Sequence, residues 1–233
     1  MRIVSLILFV LVTVILSVLS IPVAVLDRSG KGYLFLARFW SKIFLLLYGA
    51  KLKVIGVENI KEGKPYVFCA NHSSYTDIPV LFAGIPIDVR LILRKSLTRI
   101  PIWGWALLAS PMIIIDRSNP TKAKRTLEDA AKIISNGASV LLFPEGTRTH
   151  DGNTQPFKRG AFQMAYKSGA EVVPVTIKGT FEFLPRTEKL PKMGSHITVT
   201  IGKPLHVDNS LPTDRDREAD LMRRTEEAVR LAH

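Results

Sequence analysis

Ala138-Ser139-Val140-Leu141-Leu142-Phe143-Pro144-Glu145-Gly146-Thr147-Arg148 reads as a buried strand that empties into a turn. The largely apolar run to Phe143 has the pattern of a strand covered on both faces. Pro144 ends it, because proline has no N–H to give to a sheet ladder. Gly146 lets the backbone turn tightly or come close to a ligand. Arg148 brings a permanently charged, forked donor to that turn, a geometry suited to phosphate. Upstream, Asn71-His72-Ser73-Ser74-Tyr75-Thr76-Asp77 sets an imidazole and a carboxylate five residues apart. One stretch is suited to holding an anion and the other to moving a proton.

Outward from this turn, strands and helices alternate. Ser118 or Asn119 can cap a helix with Pro120 in its first position. Ala123, Leu127, Ala130, Ala131 and Ile134 recur at helical spacing, and Asn136-Gly137 stops the run. Further strands are expected over Leu52 to Val57, Tyr66 to Ala70, Val89 to Leu93, Met112 to Ile115, Val172 to Ile177 and Ile197 to Ile201. Helices are expected over Tyr75 to Ala83, Arg159 to Ser168 and Arg215 to Leu231. This alternation predicts an α/β layered domain with a largely parallel sheet flanked by helices. Such sheets bind ligands beyond the carboxyl ends of their strands. His72, Arg117 and the segment Glu145 to Arg148 each follow an expected strand, so three stretches converge on one sheet edge.

The 233 residues suffice for one sizeable domain plus an appendage. The single cysteine, Cys69, excludes an internal disulfide and a multi-cysteine zinc site. It ends an apolar run and reads as a small buried hydrophobe. The net charge is +12, and all of the excess lies before Pro212. A basic chain attracts nucleic acid, anionic lipid or acidic substrates. Here the cations are scattered and the amino terminus favours lipid, so no nucleic-acid partner is expected.

Ile3 to Leu26 carries no ionisable side chain. As a straight helix it would extend about 36 Å, and about 28 Å before Pro22, which is expected to break or kink it. That length either crosses a hydrocarbon layer of ~30 Å or tilts within one leaflet. No small-residue cleavage pattern marks it as a signal peptide, and no polar face marks it as a soluble surface helix. After a turn at Asp27 to Gly32, Tyr33 to Tyr48 is again apolar, with Arg38 and Lys42 on one helical face; it reads as an interfacial helix whose cations reach lipid headgroups, or as a core helix with two exposed cations. Residues 1–48 thus read as a membrane-anchoring helical hairpin, and residues 49–233 as the catalytic domain. Cations follow the first helix (Arg28, Lys31, Arg38, Lys42, Lys51, Lys53) and only Arg2 precedes it, which puts the domain on the cytoplasmic face of a membrane.

His72 and Asp77 form an H-x-x-x-x-D signature, and Phe143 to Arg148 spell F-P-E-G-T-R. In both, the chain resembles the 1-acyl-glycerol-3-phosphate acyltransferase family. Weaker likenesses lie in Pro111 to Arg117, in Val173-Pro174-Val175, and in Lys95, Pro101 and Gly104. The resemblance runs from about residue 50 to 205. It implies transfer of a fatty acyl group from an acyl thioester, acyl-carrier protein (acyl-ACP) or acyl-CoA, to lysophosphatidic acid. The product is phosphatidic acid. It further implies His72 as base with Asp77 as its partner. Arg117, Glu145, Gly146, Thr147 and Arg148 become substrate-binding residues. No metal, no cofactor beyond the thioester and no covalent acyl-enzyme are implied.

A neutral imidazole can take a hydroxyl proton as the alcohol attacks, while a carboxylate on its other nitrogen fixes the tautomer. Glu145 can hold Arg148 or meet the glycerol backbone. Ile100 to Met112, with Trp103 and Trp105, can line an acyl groove, touch membrane or serve as core. Lys158 and Arg159 can add positive field at the phosphate or form a solvated face. Two other readings remain at this level: a different acceptor, glycerol-3-phosphate or another lysophospholipid, and a lipid-binding protein that keeps the fold without catalysis.

Overall fold

A computed structural model describes residues 1–232. Arg2–Leu26 (α1) and Lys31–Leu47 (α2) form a hairpin. Then come Lys51–Ile55 (β1), Tyr66–Ala70 (β2), Asp77–Gly84 (α3), Val89–Arg94 (β3), Trp103–Ala109 (α4) and Ile113–Ile115 (β4). Pro120–Ser135 (α5), Ser139–Leu142 (β5), Gly160–Ser168 (α6), Glu171–Lys178 (β6), Thr180–Phe183 (α7), His196–Ile201 (β7) and Asp214–Leu231 (α8) complete the order. The strands form one sheet, β1-β7-β6-β2-β5-β3-β4. Every neighbouring pair is parallel except β6 and β7. The α/β class and the largely parallel sheet follow the sequence reading, with β7 and β1 running against the other five strands.

The central strands are apolar because both faces are covered. Along β2, Tyr66, Phe68 and Ala70 join a core with α2 and α3, while Val67 and Cys69 join a second core with α5, α6 and α8. Cys69 is wholly buried, and burial pushes its thiol far above the usual range. That matches a small hydrophobe and not a nucleophile. α5 is capped as its sequence predicts, with Asn119 Oδ1 accepting from the Lys122 N–H at 3.0 Å.

α1 is long and apolar enough to cross a membrane, and 17% of its most apolar window is buried. The helix runs uninterrupted through Pro22 to Leu26, so the expected break does not occur. It also has a polar stripe, which the sequence reading overlooked. Ser5, Phe9, Thr13, Ser17 and Ser20 recur at helical spacing and turn inward. Ser5 Oγ donates to the Leu47 carbonyl, and Trp40 Nε1 donates to Thr13 Oγ1 at 2.9 Å. Ile3, Ile7, Leu11, Val18 and Leu19 point outward. The apolar face out and the small polar face in is the ordering of a helix solvated by lipid.

α2 belongs to the same core as the sheet. Leu34, Phe44, Leu45 and Tyr48 are buried with Val80, Leu81 and Phe183. Ring contacts run from Phe9 to Phe44 at 4.8 Å, then from Phe44 to Phe183 at 5.8 Å. Arg38, expected to reach headgroups, instead pairs with Asp88 at 3.3 Å and donates to the Pro86 carbonyl. Its guanidinium seats the hairpin on the loop before β3.

Between α4 and the loop after β3 the backbone turns at Ile102, whose φ of 65° and ψ of −62° are unusual for a β-branched residue. The Trp103 N–H reaches back to the Pro101 carbonyl at 2.7 Å, closing a γ-turn of the rare positive-φ kind. Gly104 is obligatory beside it, since a Cβ there would lie 2.3 Å from the Thr98 carbonyl oxygen.

Because α2 and the sheet share a core, Phe44→Ala is expected to lower the stability of the whole chain by about 3 kcal/mol, the usual scale for a buried phenylalanine. Thermal unfolding in detergent should show one transition at a reduced midpoint. An early transition confined to the hairpin, with the main one unmoved, would contradict the shared core.

Candidate active site

β2, β5, β3 and β4 stand side by side and all release their chains at one sheet edge. His72 follows β2, Glu145 to Arg148 follow β5, Arg94 ends β3, and Asp116-Arg117 follow β4. Asn71 holds the first of these exits in place. Its amide acts as an extra peptide group, donating to the Ile177 carbonyl at 3.0 Å and accepting from the Ile177 N–H at 2.7 Å. The sequence reading passed over Asn71, because a polar residue after a strand carries no mark of being buried.

Asp77 opens α3 and is completely buried. Its Oδ2 accepts from the Ser73 and Ser74 N–H groups at 2.8 and 2.9 Å. The same oxygen lies 2.7 Å from His72 Nδ1. An oxygen already accepting two backbone donors serves as an acceptor for the ring as well, so Nδ1 carries the proton. His72 Nε2 is left with a free lone pair. The imidazole stacks on Phe143, with centroids 4.0 Å apart and planes 15° from parallel. Phe143 and Asp77 together fix the ring in position and in tautomer. That arrangement can accept a proton from a hydroxyl presented at Nε2.

Glu145 does not pair with Arg148. It is 2% exposed, and its two oxygens accept from the His72 N–H at 2.7 Å and the Gln155 N–H at 3.0 Å. It braces three segments, with the Thr149 N–H to His72 carbonyl bond beside it. Burial pushes its carboxyl up to about 7 against the pull of those two N–H groups. Gly146 has a φ of 76°, and its N–H closes the turn on the Phe143 carbonyl at 3.1 Å. A Cβ there would lie 2.9 Å from Lys158 Nζ, so that ammonium covers the turn. Thr147 is exposed at its tip.

Arg117 reaches across from β4 and donates to the Gly146 carbonyl. Burial, and then the Arg94 charge, hold its guanidinium below the usual range. Arg148 lies flat on the Tyr75 ring, 3.5 Å from its centroid. Stacking on one face leaves the N–H edges of the fork available to an anion. Arg186 donates to the Arg148 carbonyl and meets His150 Nε2 at 2.7 Å. Arg159, considered with Lys158, points elsewhere: it pairs with Glu218 of α8 at 2.6 Å. The expected residues thus gather at one edge, with Tyr75, Arg94 and Arg186 added and Arg159 removed.

An apolar chamber lies beside the dyad, between α1, α2, α3, α4 and β3. Its cavity volume is about 70 Å3. Ile78, one residue past Asp77, lines it with Phe82, Leu91, Leu93, Trp103 and Leu107. In the Ile100 to Met112 segment Leu107 belongs to the core, with Trp103 and Met112 packed against it, and the same residues line this chamber, whereas Trp105 and Leu108 are exposed.

Residues 51–178 match a family model described as Acyltransferase. A chloroplast 1-acyl-sn-glycerol-3-phosphate acyltransferase of Arabidopsis thaliana is 33% identical over 177 residues, which cover 76% of this chain and 49% of the relative. The corresponding enzyme of Saccharomyces cerevisiae is 33% identical over 176 residues, covering 74% and 57%. The chain spans about half the length of the curated relatives it matches. A crystal structure of a 1-acyl-sn-glycerophosphate (LPA) acyltransferase from Thermotoga maritima superposes with a TM-score of 0.78 at 24% identity, covering 100% of this chain and 96% of that one. That likeness extends the fold agreement to the hairpin.

Glu145 gives the site a pH signature. In the fold its carboxyl keeps its proton up to about 7, against a reference value of 4.5. Its contribution to stability is therefore complete below the lower value and is lost as pH rises through the upper one. Between about pH 5 and about pH 8, the melting temperature of wild type should fall relative to that of Glu145→Gln. A pH-independent difference between the two would contradict the buried, titrating carboxyl.

Proposed function

The chain belongs to the acyltransferase family, and from that premise we propose that it moves a fatty acyl group from an acyl thioester to the sn-2 hydroxyl of 1-acylglycerol-3-phosphate. The product is phosphatidic acid. The observation that carries this reading is the 2.7 Å contact between His72 Nδ1 and Asp77 Oδ2, which leaves Nε2 as a positioned base. The names of the relatives support the choice of acceptor, as do the arginines around the Gly146 turn.

In the proposed reaction, His72 Nε2 takes the proton of the acceptor hydroxyl as its oxygen attacks the thioester carbonyl. Asp77 stabilises the imidazolium that forms. The tetrahedral intermediate collapses with cleavage of the carbon–sulfur bond. The thiolate leaves with the proton from His72, giving a free thiol and a new ester. The equation balances without a metal or a redox group. Arg148, with its fork held open on Tyr75, and Arg117 take the phosphate of the acceptor. Gly146 and Thr147 shape the turn between them, and Glu145 positions the turn against His72. The apolar chamber receives an acyl chain. The hairpin, residues 1–48, seats the enzyme in the cytoplasmic face of the membrane that holds its acceptor, with the outward face of α1 in lipid.

The test is the purified protein in detergent, given lysophosphatidate and acyl-CoA or acyl-carrier-protein thioester, with thiol and phosphatidate followed together. Equal release of both is expected. His72→Ala should reduce turnover by about 100-fold or more, the scale of a lost general base. Near-normal turnover in the folded variant would remove His72 from that role. Product from glycerol-3-phosphate but none from lysophosphatidate would change the acceptor. Tight lipid binding with no thiol release would instead favour a non-catalytic lipid-binding protein. Arg148→Ala is expected to raise the KM for lysophosphatidate by roughly tenfold, the scale of one charge-assisted hydrogen bond, with kcat nearly kept. An unchanged KM would move the phosphate elsewhere.

A further inference from the structure

β4 has an open groove on its far side from the dyad. Lys95, Thr98, Ile114, Asp116, Lys122 and Arg125 line it, and its volume is about 380 Å3. Three of its charges, Lys95, Asp116 and Asp129, are settled locally. Lys95 pairs with Asp116 at 3.1 Å, and Asp129, also on the wall, pairs with Lys132 at 3.2 Å. Lys122 and Arg125 have no acidic partner among the described residues.

Their position is costly to the helix that carries them. Both lie in the first two turns of α5, together with Lys124, and no acidic residue occupies the first turn. The amino-terminal end of a helix carries partial positive charge and favours anions, so three cations there oppose the helix dipole. A bound anion removes the conflict. The groove also has an apolar wall in Leu108 and Ile114 and a hydroxyl in Thr98. Cations beside a short apolar wall in a concave site suit a phosphorylated nucleoside. A folded acidic protein would need a broad patch of several hundred Å2.

The sheet supplies the distance. Three strand spacings separate β2, which delivers His72, from β4, which borders the groove. At ~4.8 Å per spacing that is about 14 Å. The arm of coenzyme A between phosphorus and sulfur has about as many bonds as four residues of extended chain, roughly 15 Å. A nucleotide held in the groove therefore leaves the sulfur within reach of the dyad.

We propose that this groove holds the phosphoadenosine end of coenzyme A, with Lys122 and Arg125 on its phosphates. The proposal rests on the acyl-transfer reading and specifies where its donor sits. Asp116 lines the groove and the next residue, Arg117, reaches the Gly146 turn, so donor and acceptor phosphates bind on either side of one strand end.

The test uses the full chain in detergent and the double variant Lys122→Gln/Arg125→Gln. Adenosine 3′,5′-bisphosphate should bind wild type and bind the variant about tenfold or more weakly by calorimetry. In turnover, the variant's KM for acyl-CoA should rise by a similar factor, with kcat kept. Its KM for the same acyl group on pantetheine, which lacks the nucleotide, should not move. Equal binding of the bisphosphate by both proteins, or by neither, overturns the proposal. So does an equal penalty on acyl-pantetheine. A penalty confined to the carrier-protein thioester overturns it too, and assigns the cations to an acidic carrier. Failure of the acyl-transfer reading shows separately, as wild type that forms no phosphatidate from any thioester. The groove assignment is then upheld by the bisphosphate binding alone.

Discussion

One carboxylate oxygen, Asp77 Oδ2, collects the Ser73 N–H, the Ser74 N–H and the His72 ring within 2.9 Å. Burying a carboxylate is expensive unless its lone pairs are met. The loop from Asn71 to Asp77 meets those of Oδ2 by curling around it, and leaves Oδ1 buried without a partner among the described residues; the curl sets the imidazole. The same segment depends on Glu145, whose carboxyl holds the His72 N–H from the far side. Two buried acids thus fix one histidine from opposite ends. Neither needs to touch substrate for the geometry to fail without it.

The sheet turns this local arrangement into a site. Adjacent parallel strands release His72, the Gly146 turn, Arg94 and Arg117 at one edge, so residues far apart in sequence share a few strand spacings. Arg117 reaches the Gly146 carbonyl, and Arg148 stacks over Tyr75. Positive charge is collected where no acid of the dyad neutralises it, since Asp77 is committed to His72.

The strands, the α5 cap and the shared edge were legible because each depends on local pattern: apolar runs, a proline at a helix start, polar residues at strand ends. What escaped depends on tertiary context. Glu145 follows a strand as a ligand-binding acid would, and only its burial shows it to be a brace. Arg38 reads as a headgroup contact until Asp88 is seen opposite it. The reversed direction of β7 hangs on how residues 179–195 cross between β6 and β7, which no periodicity records. In α1, three serines and a threonine at helical spacing were readable. They were overlooked because a polar stripe is expected to face water, and here it faces protein. Pro22 leaves α1 unbroken, so of the two expected effects the break does not occur.

α1 has one face against the chamber and the other outside it. Thr13, Leu16, Ser17 and Ser20 are chamber wall, while their outward neighbours Leu11, Val18 and Leu19 are exposed. The wall and the outer surface are one helix thick, with no second layer between them. On the proposed reading, with α1 in lipid and an acyl chain in the chamber, a single helix is all that separates the bilayer from the bound chain.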